Sequence, residues 1–294
     1  FFLKMQEQLI EEVKAQEVRE KEEAANAKAQ EAKAKEEEAA EANEEAVATP
    51  KTEEAHNNST CRIPQLIHFV YLSPHLPLEQ PPVPERVIKS VEQWAEMNPN
   101  WEVKLWNNAM VRENYPDLAQ LMHNVTTMAW VADMVRYHVV EQFGGVYLDT
   151  DFIPFRPLDG LCQMGNFIVC QDPHKLPQMS PDTGIAFPPG QKCKVAINAI
   201  MGFEPHHPGV QKALNESLTS TQWAVKQSST PRFRQKYTGP WVWTASMKGF
   251  SDTVSTLHPY TFLPCHFTKH HTCIEENFRN DTRVFAMHTY EKSW

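Results

Sequence analysis

No stretch of this chain approaches the roughly 20 consecutive apolar residues needed to span a bilayer. None of its six cysteines forms a CxxC pair, and the 294 residues contain no internal repeat. Lys and Arg are also in short supply. Residues 1–60 carry 8 Lys/Arg against 16 Asp/Glu, and taking that net −8 from the whole-chain −9 leaves residues 61–294 close to neutral at −1. Each absence excludes something. Without a basic excess there is no electrostatic footprint for nucleic acid. Without CxxC pairs a zinc knuckle or thioredoxin-type motif is ruled out.

The first 60 residues lack Gly and Trp, and Pro50 is their first proline. Ala, Glu, Lys and Gln dominate, all strong helix formers, and Glu17/Lys21 sit at helical spacing. Large apolar residues nearly vanish after Val18, so no a/d seam is sustained. The segment reads as a solvated helical or disordered stem, with a partner-binding coiled coil, and oligomerisation through it, as the alternative. Its apolar start, Phe1-Phe2-Leu3, fits the stump of a removed membrane anchor or signal segment, or an arbitrary fragment boundary.

What is present begins at Cys61. Cys61, Cys162, Cys170, Cys193, Cys265 and Cys273 are an even set with 15 possible pairings. Five N-x-[ST] triplets begin at Asn57, Asn58, Asn124, Asn215 and Asn280. Together these favour a secretory-pathway protein.

Leu66 to Tyr71 is a short β-branched and aromatic run, expected to be a buried strand. A Pro-rich loop follows. Glu85 to Met97 reads as a helix burying Val87, Ile88, Val91 and Trp94. Trp101 to Trp106 is expected as a second strand and Thr126 to Phe143 as a long helix, stopped at Gly144-Gly145 by a left-handed C-cap. Val146-Tyr147-Leu148 is a third strand running into Asp149-Thr150-Asp151. This alternation predicts an α/β fold with parallel strands, whose ligands sit beyond the strands' carboxyl ends. Asp149 and Asp151 lie at that edge, where two carboxylates can turn toward one Mn²⁺ or Mg²⁺. One turn upstream, Asp133, Arg136 and Tyr137 share a helix face. They read either as a hexose clamp or as a structural ion pair.

Two further strings extend the pattern: Ala132-Asp133-Met134-Val135-Arg136-Tyr137, and Phe143-Gly144-Gly145-Val146-Tyr147-Leu148-Asp149-Thr150-Asp151. Together they resemble the DXD sugar-binding region of the glycosyltransferase family that includes yeast initiating α-1,6-mannosyltransferase and the inositol phosphoceramide mannosyltransferases. The resemblance spans about residues 61–294. It implies a Rossmann-like GT-A catalytic domain there, behind a stem over 1–60. It further implies a nucleotide-sugar donor, a divalent metal and retention of anomeric configuration. Carried over residue by residue, Asp149 and Asp151 serve the metal and ribose, with His288 completing the metal shell. Asp133 and Arg136 serve the hexose, and with Asp151 form the catalytic set. His68 on the opening strand, Trp106 on the next, Tyr137, Gly145, Tyr147 and Asn198 line the donor site. Trp294, beside Ser293, closes over the phosphates. GDP-mannose is the favoured donor, with UDP-galactose and UDP-N-acetylglucosamine as alternatives. The acceptor is a glycan or glycolipid, and the location the Golgi or endoplasmic reticulum lumen, as a type II membrane-associated protein.

Competing readings attach to single features. A HAD-type phosphohydrolase also places a DxD after a buried strand, but Ile153 stands where that motif has Thr or Val. A catalytically silent sugar-binding protein would keep the fold without transfer. His206-His207 and His270-His271 lack H-E-x-x-H spacing and read as loop histidines. Trp130, Trp241 and Trp243 read as core.

Overall fold

A computed structural model describes residues 61–73, 83–122, 125, 128–171, 185–187, 192–224, 236–265 and 273–291. The stem expected over residues 1–60, and Ser293 and Trp294, lie outside them.

Among the described residues, eight strands form two sheets. The larger contains β1 (Leu66–Val70), β2 (Glu102–Trp106), β3 (Gly145–Leu148), β5 (Phe167–Gln171), β6 (Val195–Phe203) and β7 (Ser255–Leu257), in the order β2-β1-β3-β6-β5-β7. β1 pairs in parallel with both β2 and β3, whereas β6 runs antiparallel to β3 and β5. The α/β expectation holds, but the all-parallel sheet does not: the sheet is mixed. β4 (Phe152–Pro154) pairs antiparallel with β8 (Ala286–His288) in the second, two-stranded sheet.

The helices follow from local sequence. In α1 (Glu85–Met97), Lys89 meets Glu85 at 2.7 Å, an i,i+4 pair. Val87 and Trp94 are buried, but Ile88, expected inside, is 42% exposed. Trp94 donates its indole N–H to the Phe152 carbonyl at 3.1 Å, tying α1 to β4. Two short helices, α2 (Asn108–Asn114) and α3 (Pro116–Met122), follow β2. Asn107 caps α2 by accepting from the Ala109 and Met110 amides.

α4 (Ala129–Phe143) is apolar nearly all round, with Ala129 through Tyr137 buried, as a helix must be when enclosed on every side. It ends at Gly144, whose φ of 64° and ψ of −157° lie outside the left-handed helical cap expected there, in a region open essentially to glycine. Gly145, at φ 86°, lies so close to β1 that an added Cβ would fall 2.3 Å from the Leu66 carbonyl oxygen. The double glycine therefore lets β3 leave the helix and seat directly against β1.

Side chains alternate across β3. Tyr147 enters one core with Val70, Met201, Phe203, Trp243 and the α4 face, while Val146 and Leu148 enter the other with Ile67, Phe69, Trp94, Phe167 and Phe262. Around these cores lie α5 (Asp159–Cys162), α6 (Pro208–Ala224), α7 (Pro240–Ser246) and α8 (Glu276–Arg279). Of the 15 possible pairings, the cysteines adopt Cys61–Cys162, Cys170–Cys193 and Cys265–Cys273. Among the described residues no helix is long and apolar enough to cross a membrane.

Candidate active site

Asp149 follows β3 directly. Its amide donates to the Ala199 carbonyl of β6 at 2.8 Å, so the antiparallel neighbour fixes the start of the Asp-Thr-Asp turn. Asp151 then leads into β4, and β4 pairs with β8 so that Phe152 stands opposite His288. This pairing carries a residue 137 positions downstream of Asp151 to the same place. One ligand atom each from Asp149, Asp151 and His288 lies within 4.8 Å of the others.

The three side chains are 21%, 6% and 11% exposed, respectively, enough for a ligand to reach them from one side. His288 Nε2 lies 3.0 Å from Asp151 Oδ1. That contact is close without being aligned as a hydrogen bond, and neither ring nitrogen has a hydrogen-bond partner among the described residues. The Thr150 hydroxyl between the two aspartates is likewise buried and unpartnered. Buried polar atoms are rarely left so. Two carboxylates and an imidazole with free valence fit a divalent cation.

Behind this triad lies a buried network. The Arg136 guanidinium reaches Asp133 Oδ1 at 3.1 Å and Asp149 Oδ1 at 3.2 Å. It also donates to the Asn198 carbonyl at 2.5 Å and stacks 4.7 Å from the centre of the Tyr147 ring. Burial alone would pull its pKa down, but Asp149, Tyr147 and Asp133 together hold the guanidinium firmly charged. The Tyr147 hydroxyl donates to Asp149 Oδ1 at 2.5 Å. Asp133 accepts from Asn198 Nδ2 and from the Thr238 hydroxyl, both at 2.9 Å. The Tyr137 hydroxyl donates to the Thr238 carbonyl at 2.8 Å and lies 3.2 Å from Asn198 Nδ2.

Burial pushes the Asp149 carboxyl upward, opposed by Arg136; nearby Asp151 adds to the rise, and His288 and the Tyr147 hydroxyl counter it. Burial also raises Tyr137 and Tyr147 well above the ordinary phenol range.

The expected donor residues therefore separate into two groups. Asp133, Arg136, Tyr137, Tyr147, Asp149 and Asn198 are joined in one network, which Asp149 connects to Asp151 and His288. Both oxygens of Asp133 are engaged inside the protein, so the structure contains the ion pair offered as the alternative to a hexose clamp.

His68, Trp106 and Gly145 stand apart. His68 is fully buried, its Nδ1 accepting from the Trp106 indole at 3.0 Å and its Nε2 lying 2.9 Å from the Gly144 carbonyl. Both ring nitrogens are used within the core. Burial lowers the His68 pKa to about 4, with Lys104 adding to the fall and the Gly144 bond opposing it. Gly145 is packed against Leu66, as described above.

Thr238 was not among the expected site residues, because nothing local marks its bond to Asp133. Trp130 and Trp243 are buried as expected, but Trp241 is 62% exposed, because it lies on the outer face of the short helix α7. Two cavities of about 530 and 540 Å³ flank it. Neither is lined by Asp149, Asp151 or His288. His206 is an exposed loop residue paired with Glu141, whereas His207 is buried beside Phe203; His270-His271 lie outside the described residues.

The geometry agrees with what comparison finds. Residues 84–168 match the family model described as "Glycosyltransferase sugar-binding region containing DXD motif". Inositol phosphoceramide mannosyltransferase 3 of Schizosaccharomyces pombe is 25% identical over 159 residues, 53% of this chain and 37% of that one. Mannosyl phosphorylinositol ceramide synthase SUR1 of Saccharomyces cerevisiae is 28% identical over 156 residues, covering 52% and 34%. Human alpha-1,4-N-acetylglucosaminyltransferase is 21% identical over 223 residues, covering 62% and 58%. The chain thus spans little more than a third of the yeast relatives' length. Among solved structures, the glycosyltransferase domain of the YGT toxin is similar with a TM-score of 0.45 at 10% identity, covering 68% of this chain and 82% of that one. The DXD motif, the helix that backs it and the strand that delivers it all fall within the matched residues.

Proposed function

We propose that residues 61–294 form a GT-A-type, metal-dependent, retaining glycosyltransferase domain that moves a hexose from a nucleotide sugar to a glycan or glycolipid acceptor. The observation carrying this reading is the convergence of Asp149, Asp151 and His288 beyond the carboxyl end of β3. Mn²⁺ or Mg²⁺ is the expected ion, and when bound it would offset the charge on the departing diphosphate.

The chain's own residues do the positioning. Tyr147 and Arg136 hold Asp149 by one oxygen, making the second the one available to a ligand. Arg136 is fixed in turn by Asp133 and the Asn198 carbonyl, so the charge beneath the site does not move. In the transfer, the bond from the anomeric carbon to the diphosphate oxygen breaks and a bond to the acceptor oxygen forms on the same face. The acceptor's proton passes to the departing phosphate.

GDP-mannose is the favoured donor, in line with the mannosyltransferase relatives; the human N-acetylglucosaminyl relative supports a UDP-sugar as the second reading. Three disulfides support a lumenal location in the secretory pathway, Golgi or endoplasmic reticulum.

The test is a panel of GDP- and UDP-sugars screened for Mn²⁺-dependent hydrolysis and for a rise in melting temperature. One donor is expected to score in both assays. Absence of either effect with every nucleotide sugar would overturn the assignment.

A further inference from the structure

We propose that Tyr290 is the residue that positions His288 for the metal, through ring contact in place of the usual hydrogen bond. The proposal rests on the metal reading above.

A metal-ligating imidazole ordinarily donates its second nitrogen to a carboxylate or carbonyl, which fixes its tautomer and rotation. His288 has no such partner among the described residues. What it has is two aromatic rings: Phe152, with centroids 4.5 Å apart, and Tyr290, edge-on at 4.2 Å and 84°. Phe152 is set by the core, where it is buried against Phe262 and stands opposite His288 in the β4–β8 ladder.

Tyr290 is set differently. Its φ is 56°, a left-handed conformation that a bulky residue seldom adopts. Such a conformation persists where the surroundings impose it, and it clusters at functional sites. Here the surroundings are visible. Thr289 donates to the Asp151 carbonyl twice, from its amide at 2.9 Å and its hydroxyl at 3.0 Å. The Tyr290 hydroxyl donates to the Cys265 carbonyl at 3.3 Å. The chain leaving β8 thus folds back over Asp151, and the left-handed step brings the Tyr290 ring against the imidazole. The left-handed turn places the ring, with the 3.3 Å hydroxyl contact as a minor tether, and the ring fixes the ligand.

The experiment is Mn²⁺ binding to the full chain, followed by the electron paramagnetic resonance signal of the free ion, for wild type and Tyr290→Phe, Tyr290→Ala and Tyr290→Gly. Melting of the metal-free proteins controls for folding. Phe keeps the ring and is expected to bind within about twofold of wild type. Ala and Gly lose the ring and are expected to bind about tenfold more weakly, the scale of a lost orienting partner. Glycine accepts the left-handed backbone without strain, so it serves where alanine destabilises the fold. Near-wild-type affinity in Gly would overturn the proposal, because the backbone turn alone would then suffice. Wild-type affinity in Ala would overturn it as well. A wild-type protein that binds no Mn²⁺ would instead defeat the metal reading and take this proposal with it.

Discussion

Two sets of buried polar side chains differ in one respect: one surrounds His68, on the β1–β3 ladder opposite Tyr147, and the other surrounds the Asp-Thr-Asp turn that follows β3. Around His68 every ring nitrogen has a partner inside the protein, in the Trp106 indole and the Gly144 carbonyl. Around Asp151, both nitrogens of His288 and the hydroxyl of Thr150 have none among the described residues. A saturated network is scaffold, since it already has what burial demands. An unsaturated one costs free energy until something arrives to complete it. Residue type does not separate the two sets, as each contains a histidine. The state of its hydrogen bonds does.

The sharpest way to break the comparison is at the unsaturated end. Asp151→Asn preserves shape and removes a charge, and it is expected to cut Mn²⁺-dependent donor hydrolysis on the order of a thousandfold, equivalent to about 4 kcal/mol. The melting temperature without metal should barely change. Substantial hydrolysis by this variant would remove Asp151 from the metal.

At the saturated end the lever is pH. His68 titrates at about 4 in the fold against 6.5 in the unfolded chain, so between those values the unfolded state binds the extra proton. Stability from this group is complete above pH 6.5 and declines as pH falls toward 4, by about 3 kcal/mol in all. Urea unfolding at pH 7 and pH 4.5 measures the loss, and His68→Gln should flatten the part of the slope that His68 supplies. An unchanged slope in that variant would show that other groups account for it.

Arg136 joins the two regimes, being fully bonded yet touching Asp149. Arg136→Lys replaces a fork with a single ammonium, and turnover is expected to fall about tenfold, or 1.4 kcal/mol. Wild-type turnover would return Arg136 to a purely structural role.

Much of this was legible in local pattern. The first strand, α1, β2 and β3 fall within a residue or two of where apolar periodicity places them, and the glycine pair marks the end of α4. Partnerships across the chain were not. That β6 runs antiparallel beside β3 depends on sheet closure, which no short window encodes. The exposure of Ile88 and Trp241 turns on what packs opposite them. His288 entered through family resemblance alone; three residues, Ala286 to His288, are too short a strand to announce themselves. Thr238 and Tyr290 carry no motif at all. His68 and Trp106, expected on the donor site, stand on adjacent strands where the bond between them and the His68–Gly144 contact satisfy their polar atoms.

The β4–β8 pairing also sets an order in time. Asp149 and Asp151 emerge from the ribosome well before His288, since synthesis runs from the N-terminus. Until residues 286–288 arrive and pair with 152–154, the two aspartates lack the third group of the candidate site. On the proposed metal reading, ion capture would follow that long-range contact and act as a seal on a finished domain rather than a nucleus for an unfinished one.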